Sequence, residues 1–358
     1  MASNTESAAR TRSKSRQSQV QLVVRPAAPH DLDGLLRLAK AAGPGMTNLP
    51  PDPEALAARL DGVAAALDSE TARAQGVPIL FVIEQAPAGA IVGTACIFPR
   101  IGVEWPFYSY RMTRQAQTAK ALGKTIAHDL LILANDFDGA AEVGGLFVDP
   151  AVRGAAAGRL AARSRYLFMA QHRAWFGRQV ISDMRGYQDE NGCSPVWEAL
   201  GREFYDMAFE EADRLNAIVG NQFIADLAPK HPIYARLLPR AAREALGRPH
   251  DDGRGAMALL IEEGFRSEGY VDIFDGGPTL LANIDDLKAV RESRMVRIGR
   301  IGPAGAAGDQ LVSTGDGADF RAAKGGLDLD PEDAAILEEG LARALRVGPG
   351  DWVRHVSF

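Results

Sequence analysis

The stretch from Gly144 to Leu160, GGLFVDPAVRGAAAGRL, constrains the fold more than any other part of the chain. Val143, Leu146, Phe147 and Val148 suit a buried strand, and Pro150 ends it. A run of small residues then leads into a helix. Small side chains from Gly154 to Gly158 leave the main chain open to close approach. The first amides of a helix lack intrahelical partners and carry partial positive charge, so such a junction suits a diphosphate. Arg153 can add a full charge. The alternative is a tight strand-to-helix connection with Ala chosen for helix propensity.

Composition narrows the function classes. The chain has 358 residues, 46% apolar and 24% charged, enough for one elaborated domain or two domains. Its apolar runs are broken by Gly, Pro or charge before the roughly 18 residues a membrane span requires, so no membrane partner is expected. A net charge of −6 argues against a general nucleic-acid surface and leaves small anionic or zwitterionic ligands open. Two cysteines, Cys96 and Cys193, give neither a disulfide framework nor a metal-binding spacing, so no metal is expected. Met1 to Val20 is polar and basic with no apolar core, and reads as a disordered tail (1–20) without an export signal. A cytoplasmic location is the resulting expectation.

Along the chain, Gln19–Arg25 reads as a strand and Leu32–Ala42 and Asp52–Leu67 as helices. Ile79–Glu84 and Ala90–Phe98 form a hairpin pattern, and Tyr108–Thr113 and Thr125–Leu133 extend the sheet. Gly158–Trp175 is helical and Val180–Met184 a strand, giving strand, helix, strand around the small-residue turn. Residues 187–253 show no strand pair of that sheet and read as a helical insertion. Its helices are Ser194–Leu200, Ala208–Leu215, Asn221–Ala228 and Pro239–Leu246. Met257–Glu263 is helical and Tyr270–Asp275 a strand. Beyond Arg294 the chain turns Gly-rich and acidic, with short strands at Met295–Ile298, Leu311–Ser313, Phe320–Lys324 and Trp352–Val356 and a helix over Pro331–Leu345. The expectation is an α/β domain over 21–294 and a small β-rich appendage over 295–358.

Arg153, two residues, then Ala156 and Gly158 resemble the coenzyme A loop of the GNAT acyltransferase superfamily, with Ala156 where that pattern has Gly. Longer segments resemble the arginine N-succinyltransferase family: GMTNLP (45–50), WPFYSYR (105–111), DMRG (183–186), PVW (195–197), PKHPIY (229–234), EGF (263–265) and YVDIFDGGPTL (270–280). The resemblance runs from about Val23 to the C-terminus. It implies a GNAT-like fold that moves a succinyl group from succinyl-CoA to the α-amine of L-arginine, with L-ornithine as the close alternative. It also implies no permanently bound cofactor, and a homodimer or a pairing with a similar subunit. A noncatalytic partner subunit or amino-acid-binding regulator with the same fold is the rival from another class.

Acyl transfer from a thioester to an amine needs a neutral amine, a polarised carbonyl and an acid for the departing thiolate. By resemblance, Leu146 contacts succinyl-CoA through main-chain groups, with Arg153 and Gly158 at the diphosphate. Many GNAT enzymes carry a Tyr acid four residues before the terminal Gly-Phe; here that position is Leu260. His250, after Pro249 and beside Asp251 and Asp252, matches the family's proton donor. His231 is the rival histidine. For the arginine substrate, Glu104, Asp183, Asp272 and Asp275 are candidates for the cation, and Arg111 or Arg185 for the carboxylate. Trp105, Tyr108 and Tyr110 line the pocket or pack the core.

Overall fold

The computed structural model describes residues 21–42, 49–152, 156–209, 211, 212, 215, 222–306 and 308–358. The tail expected over 1–20, most of GMTNLP, and Arg153 lie outside the described residues.

The N-terminal half alternates strands with two-sided helical cover. Strand β1 (Gln21–Pro26) leads into α1 (Leu32–Ala42), α2 (Pro53–Asp68) and α3 (Glu70–Ala74). Asp52 starts α2, its side chain accepting from the Ala55 amide at 2.7 Å with Pro53 following, where a missing N–H costs nothing. Next come β2 (Ile79–Ala86), β3 (Ala90–Phe98), β4 (Ser109–Ala119), β5 (Lys124–Ala134) and β6 (Ala141–Val148). After β6, α4 (Ala157–Gln171) returns the chain to β7 (Gln179–Asp183), parallel to β6.

The insertion holds α5 (Arg202–Tyr205), α6 (Gln222–Leu227), strand β8 (Ile233–Tyr234) and α7 (Arg240–Ala245). The sequence predicts no strand here that pairs with the main sheet, but β8 pairs with β5, and Pro249 bridges Gly186. Two residues are too few for a pattern of alternation to show. The helix expected over Ser194–Leu200 is instead a wide π-helical turn, Trp197–Gly201, where Gly201 meets the Trp197 ring so closely that a Cβ would lie 2.2 Å from it. Of the helix expected over Ala208–Leu215, several residues lie outside the described ones.

Then α8 (Arg254–Glu263) ends at Gly264, φ +116°, and β9 (Arg266–Asp272), β10 (Pro278–Asn283) and α9 (Lys288–Glu292) follow. The strand expected over Tyr270–Asp275 stops at Asp272, because its carboxylate accepts from the Phe274 and Asp275 amides and turns the chain.

The C-terminal region comprises β11 (Arg294–Ile301), β12 (Asp309–Thr314), β13 (Arg321–Leu329), β14 (Ala335–Leu337), α10 (Glu339–Leu345) and β15 (Trp352–Ser357). Its strands close into a ring in the order β12, β15, β11, β14, β13 and back to β12. The helix expected over Pro331–Leu345 is two elements. Asp333 sits at φ +59°, which no helix tolerates, and Ala335–Leu337 supplies the strand that completes the ring.

Residue register decides what each sheet face does. On one face α4 packs Leu160, Leu167 and Phe168 over Phe81, Val143, Val180 and Leu280. On the other face α1 and α2 set Leu35, Leu38, Leu56 and Leu60 over Leu80, Val82 and Ile91. At roughly 1.5–3 kcal/mol per fully buried large aliphatic or aromatic side chain, these layers dominate the folding energy. β1 joins the ring to the main sheet by pairing with both β2 and β13.

Candidate active site

The sheet opens where β6 and β7 run side by side. They pair only at Ala141 with Val180 and at Glu142 with Ile181. Beyond Glu142 no further pair between β6 and β7 forms among the described residues. On its other edge β6 pairs with β3 through a bulge: between the pairs Cys96–Gly144 and Thr94–Phe147, Gly145 and Leu146 stand against Ala95 alone. Gly145 adopts φ +58°, where a side chain would be strained. Thr94 Oγ1 donates to the Gly145 carbonyl at 3.0 Å. From beneath, the buried Arg165 guanidinium of α4 donates to the carbonyls of Gly144 (3.1 Å) and Cys96 (3.3 Å). The bulge is thus fixed from both sides, and main-chain groups around Leu146 border an open cleft. Such groups are suited to polarising a carbonyl.

At the end of β6 the chain turns through Pro150–Val152 and resumes at Ala156, φ −116°. This explains the Ala in place of Gly: the position keeps a negative φ that any residue adopts. No side chain of a described residue caps α4. Among the described residues, nothing lies within 4 Å of a Cβ added at Gly158. The uncapped helix start and the open glycine leave room for an anion.

Strand register also collects the carboxylates. Glu142 is paired with Ile181, and Asp183, two residues on, shares that face. Asp183 pairs with Thr279, Thr279 with Tyr270, and Asp272 with Ser109. Glu142, Asp183, Asp272, Ser109 and Arg111 therefore project from one face, opposite α4, across β6, β7, β9 and β4. Thr279 Oγ1 donates to Asp183 at 2.6 Å. Burial raises the Glu142 carboxyl to about 8, with Asp183 adding repulsion. Burial likewise pushes Asp183 up to about 7, with Asp275 as the repelling charge. Asp272 is held well above the usual carboxylate range by burial, then by Asp275 and Asp183. No salt bridge to Glu142, Asp183 or Asp272 forms among the described residues. Nor, among those residues, could any group of three or more His, Cys, Asp or Glu hold a metal ion. Buried carboxylates without a cation are costly, and an organic cation entering the cleft would relieve them.

Asp275 does different work. Its two oxygens accept from the Gly186 and Gly277 amides at 2.7 and 2.9 Å, so it clamps two loops. Gly186 is the residue that Pro249 bridges, and the His250 amide donates to the Arg185 carbonyl at 2.8 Å. His250 is thereby anchored beside the chain leaving β7, two residues beyond Asp183. Its Nδ1 accepts from the Asp252 amide at 3.2 Å, an arrangement that assigns the proton to Nε2. The Asp252 carboxylate lies 3.7 Å from the same nitrogen.

The remaining candidates scatter. Arg111 lies on the acidic face, 3.5 Å from Asp136 and over the Tyr270 ring. Arg185 is exposed and hydrogen-bonds to Gln188. Glu104 and His231 are exposed on loops. Tyr110 is core, packed with Trp197, Leu131 and Val271, and Tyr108 packs against that cluster; Trp105 is partly exposed.

Residues 22–289 match the family model described as arginine N-succinyltransferase beta subunit, and residues 293–357 match the C-terminal domain of that subunit. The chain belongs to the arginine N-succinyltransferase family. The arginine N-succinyltransferase of Escherichia coli strain 55989 is 37% identical over 94% of this chain and 98% of its own. That of Enterobacter sp. strain 638 is 40% identical over 79% and 82%. The solved structure of arginine/ornithine succinyltransferase subunit AI from Pseudomonas aeruginosa superposes with a TM-score of 0.83 at 34% identity, covering 95% of this chain and 99% of that one. The α/β fold with its β-rich C-terminal region is the one that this family shares, and the named relatives are acyltransferases that transfer a succinyl group.

Sequence reasoning missed Glu142, Ser109 and Thr279. Glu142 left one signal, a lone carboxylate in the small and apolar run from Ala140 to Val148. Ser109 and Thr279 left none, since only strand register brings them to the acidic face.

Proposed function

We propose that this chain transfers the succinyl group of succinyl-CoA to the α-amine of L-arginine, giving N2-succinylarginine and CoA. What supports the reading is the set of carboxyls, Glu142, Asp183 and Asp272, gathered on one face where β6 and β7 separate, with no ion pair to them among the described residues. Arginine brings two cations, and the cleft has acceptors for both. Glu142, at the fork, takes a proton from the α-ammonium, while Asp183 and Asp272 receive the guanidinium. Arg111, on the same face, meets the substrate carboxylate. The CoA diphosphate lies at the start of α4 near Gly158, with Arg153 as its cation.

The freed amine attacks the thioester carbon, whose oxygen is held by main-chain groups near Leu146. As the tetrahedral intermediate collapses, the C–S bond breaks, the attacking nitrogen releases its second proton to solvent and the neutral amide C–N bond remains. His250 in its charged form gives the Nε2 proton to the thiolate, while its Nδ1–H turns to the Asp252 carboxylate. L-ornithine is the second reading, favoured by the name of the Pseudomonas relative, because a δ-ammonium can replace the guanidinium at the same carboxylates.

Release of free CoA from succinyl-CoA, followed over a panel of amino acids, tests the reading. Arginine should accelerate release most, with the product acylated on the α-nitrogen and acetyl-CoA a poor donor. Thiol release that no amino acid accelerates would point to a noncatalytic subunit.

A further inference from the structure

Strand β3 reads AIVGTACIF, and Thr94 is its one hydroxyl. The side chain is 1% exposed, a place where packing alone favours Val, because a buried hydroxyl costs free energy unless it is bonded. Its bond goes to the β6 bulge. Between the pairs Cys96–Gly144 and Thr94–Phe147 two residues of β6 stand against one of β3, which disrupts the ladder, and there Thr94 Oγ1 donates to the Gly145 carbonyl at 3.0 Å.

A trans peptide points its carbonyl and the N–H that follows in opposite directions. The peptide between Gly145 and Leu146 is trans, since Ala86–Pro87 is the cis bond among the described residues. With its carbonyl turned to Thr94 on β3, its Leu146 N–H is turned to the other side of β6. On that side β7 has diverged, with no pair beyond Glu142–Ile181 among the described residues. The preceding peptide is held differently, by Arg165 on the Gly144 carbonyl at 3.1 Å. Arg165 thus fixes the strand to α4, whereas Thr94 acts on the one peptide whose donor faces the cleft.

We infer that Thr94 is a positioning residue: by holding the Gly145 carbonyl, its hydroxyl aims the Leu146 amide at the carbonyl oxygen of the bound thioester. The inference rests on the proposed reaction for the identity of the acyl donor. Buried in the sheet, Thr94 acts only through the main chain. Without the hydroxyl the peptide plane can tilt, and the amide loses its aim at the oxygen on which negative charge develops.

Infrared difference spectra of succinyl-CoA labelled with 13C at the thioester carbonyl, bound without any amino acid, read that aim directly. The carbonyl band should move to lower frequency on binding to the wild type, because a hydrogen bond weakens the C=O bond. Thr94→Val should lose most of the shift and Thr94→Ser should keep it, with Thr94→Ala as a second hydroxyl-free variant in case the Val variant does not fold. Single-turnover transfer to arginine should slow by roughly 10–100-fold without the hydroxyl, less than the loss of an entire oxyanion donor, and recover in Thr94→Ser. The Kd for succinyl-CoA should stay within about twofold throughout. A full shift in the hydroxyl-free variants, or a rate loss matched by lost succinyl-CoA affinity, would overturn the inference. Transfer to arginine by a wild type that shows no shift would overturn it and leave the reaction standing. A hydroxyl-dependent shift in a protein that acylates no amino acid would uphold it and overturn the reaction.

Discussion

The two faces of the central sheet both bury charge, but they treat it oppositely. On the α4 face, Arg163 meets Glu263 at 3.0 Å and donates to the Ser357 carbonyl, while Glu263 also accepts from the Ala289 amide. Arg165, beside them, spends its donors on carbonyls of β3 and β6. Every one of these charges ties elements of the fold together. On the opposite face no ion pair to Glu142, Asp183 or Asp272 forms among the described residues, and Arg111, which shares that face, lies beside Asp136 instead. The difference distinguishes the faces: paired buried charge ties α4 into the fold, while burial favours the protonated form of the carboxyls opposite, which the proposed reaction assigns to the substrate's cations.

Three substitutions sharpen that contrast. Arg163→Met leaves Glu263 buried without its cation and should cost about 3–5 kcal/mol of stability, read by denaturant unfolding at pH 8. The loss should shrink in acid, where Glu263 takes up a proton. A loss under 1 kcal/mol at both pH values would show that the pair is not structural.

Glu142→Gln should act in the reverse sense, lowering kcat by roughly 10²–10³ while leaving the fold intact. Activity should recover at high pH, where the α-amine loses its proton unaided. The stability sign follows from linkage. With a folded value of about 8, well above that of an unfolded carboxylate, native protein keeps a proton that unfolded chain releases. Wild-type stability contributed by this group is therefore full below pH 4 and lost as pH rises through 8, at up to about 1.4 kcal/mol per pH unit. The Gln variant should escape that loss and be the more stable protein at pH 9.

Gly158→Ala should have the smallest effect on folding, a gain of up to about 1 kcal/mol from helix propensity, since the added methyl meets nothing. Its cost should appear in weaker succinyl-CoA binding. Unchanged affinity would move the diphosphate away from the start of α4.

Much of this was legible in the sequence because it depends on local chemistry. Asp52 and Pro53 announce α2, Gly264 ends α8, and the GGLFVDP run announces a strand, a turn and a helix. Family resemblance brought Leu146, Gly158 and His250 to notice; Leu146 lies in the β6 bulge, Gly158 in the first turn of α4 and His250 beside the chain that leaves β7. What stayed hidden depends on pairing between distant strands. Glu142, Asp183, Asp272 and Ser109 share a face only through ladders joining residues up to 163 positions apart. Asp275 reads from sequence as a cation binder, yet two glycine amides occupy it. The closing strand Ala335–Leu337 hides inside a helix-like run because the ring, not local propensity, requires it.

The most direct test of an acidic face poised for a cation is the proton count on arginine binding. Calorimetric titration at pH 7, in buffers of different ionisation enthalpy, measures it. Arginine should expel protons held by Glu142 and Asp183, approaching one per protein, and the Glu142→Gln, Asp183→Asn double variant, left with Asp272 alone, should expel clearly fewer. Binding of arginine with no proton released, or with the same release from the double variant, would contradict the account.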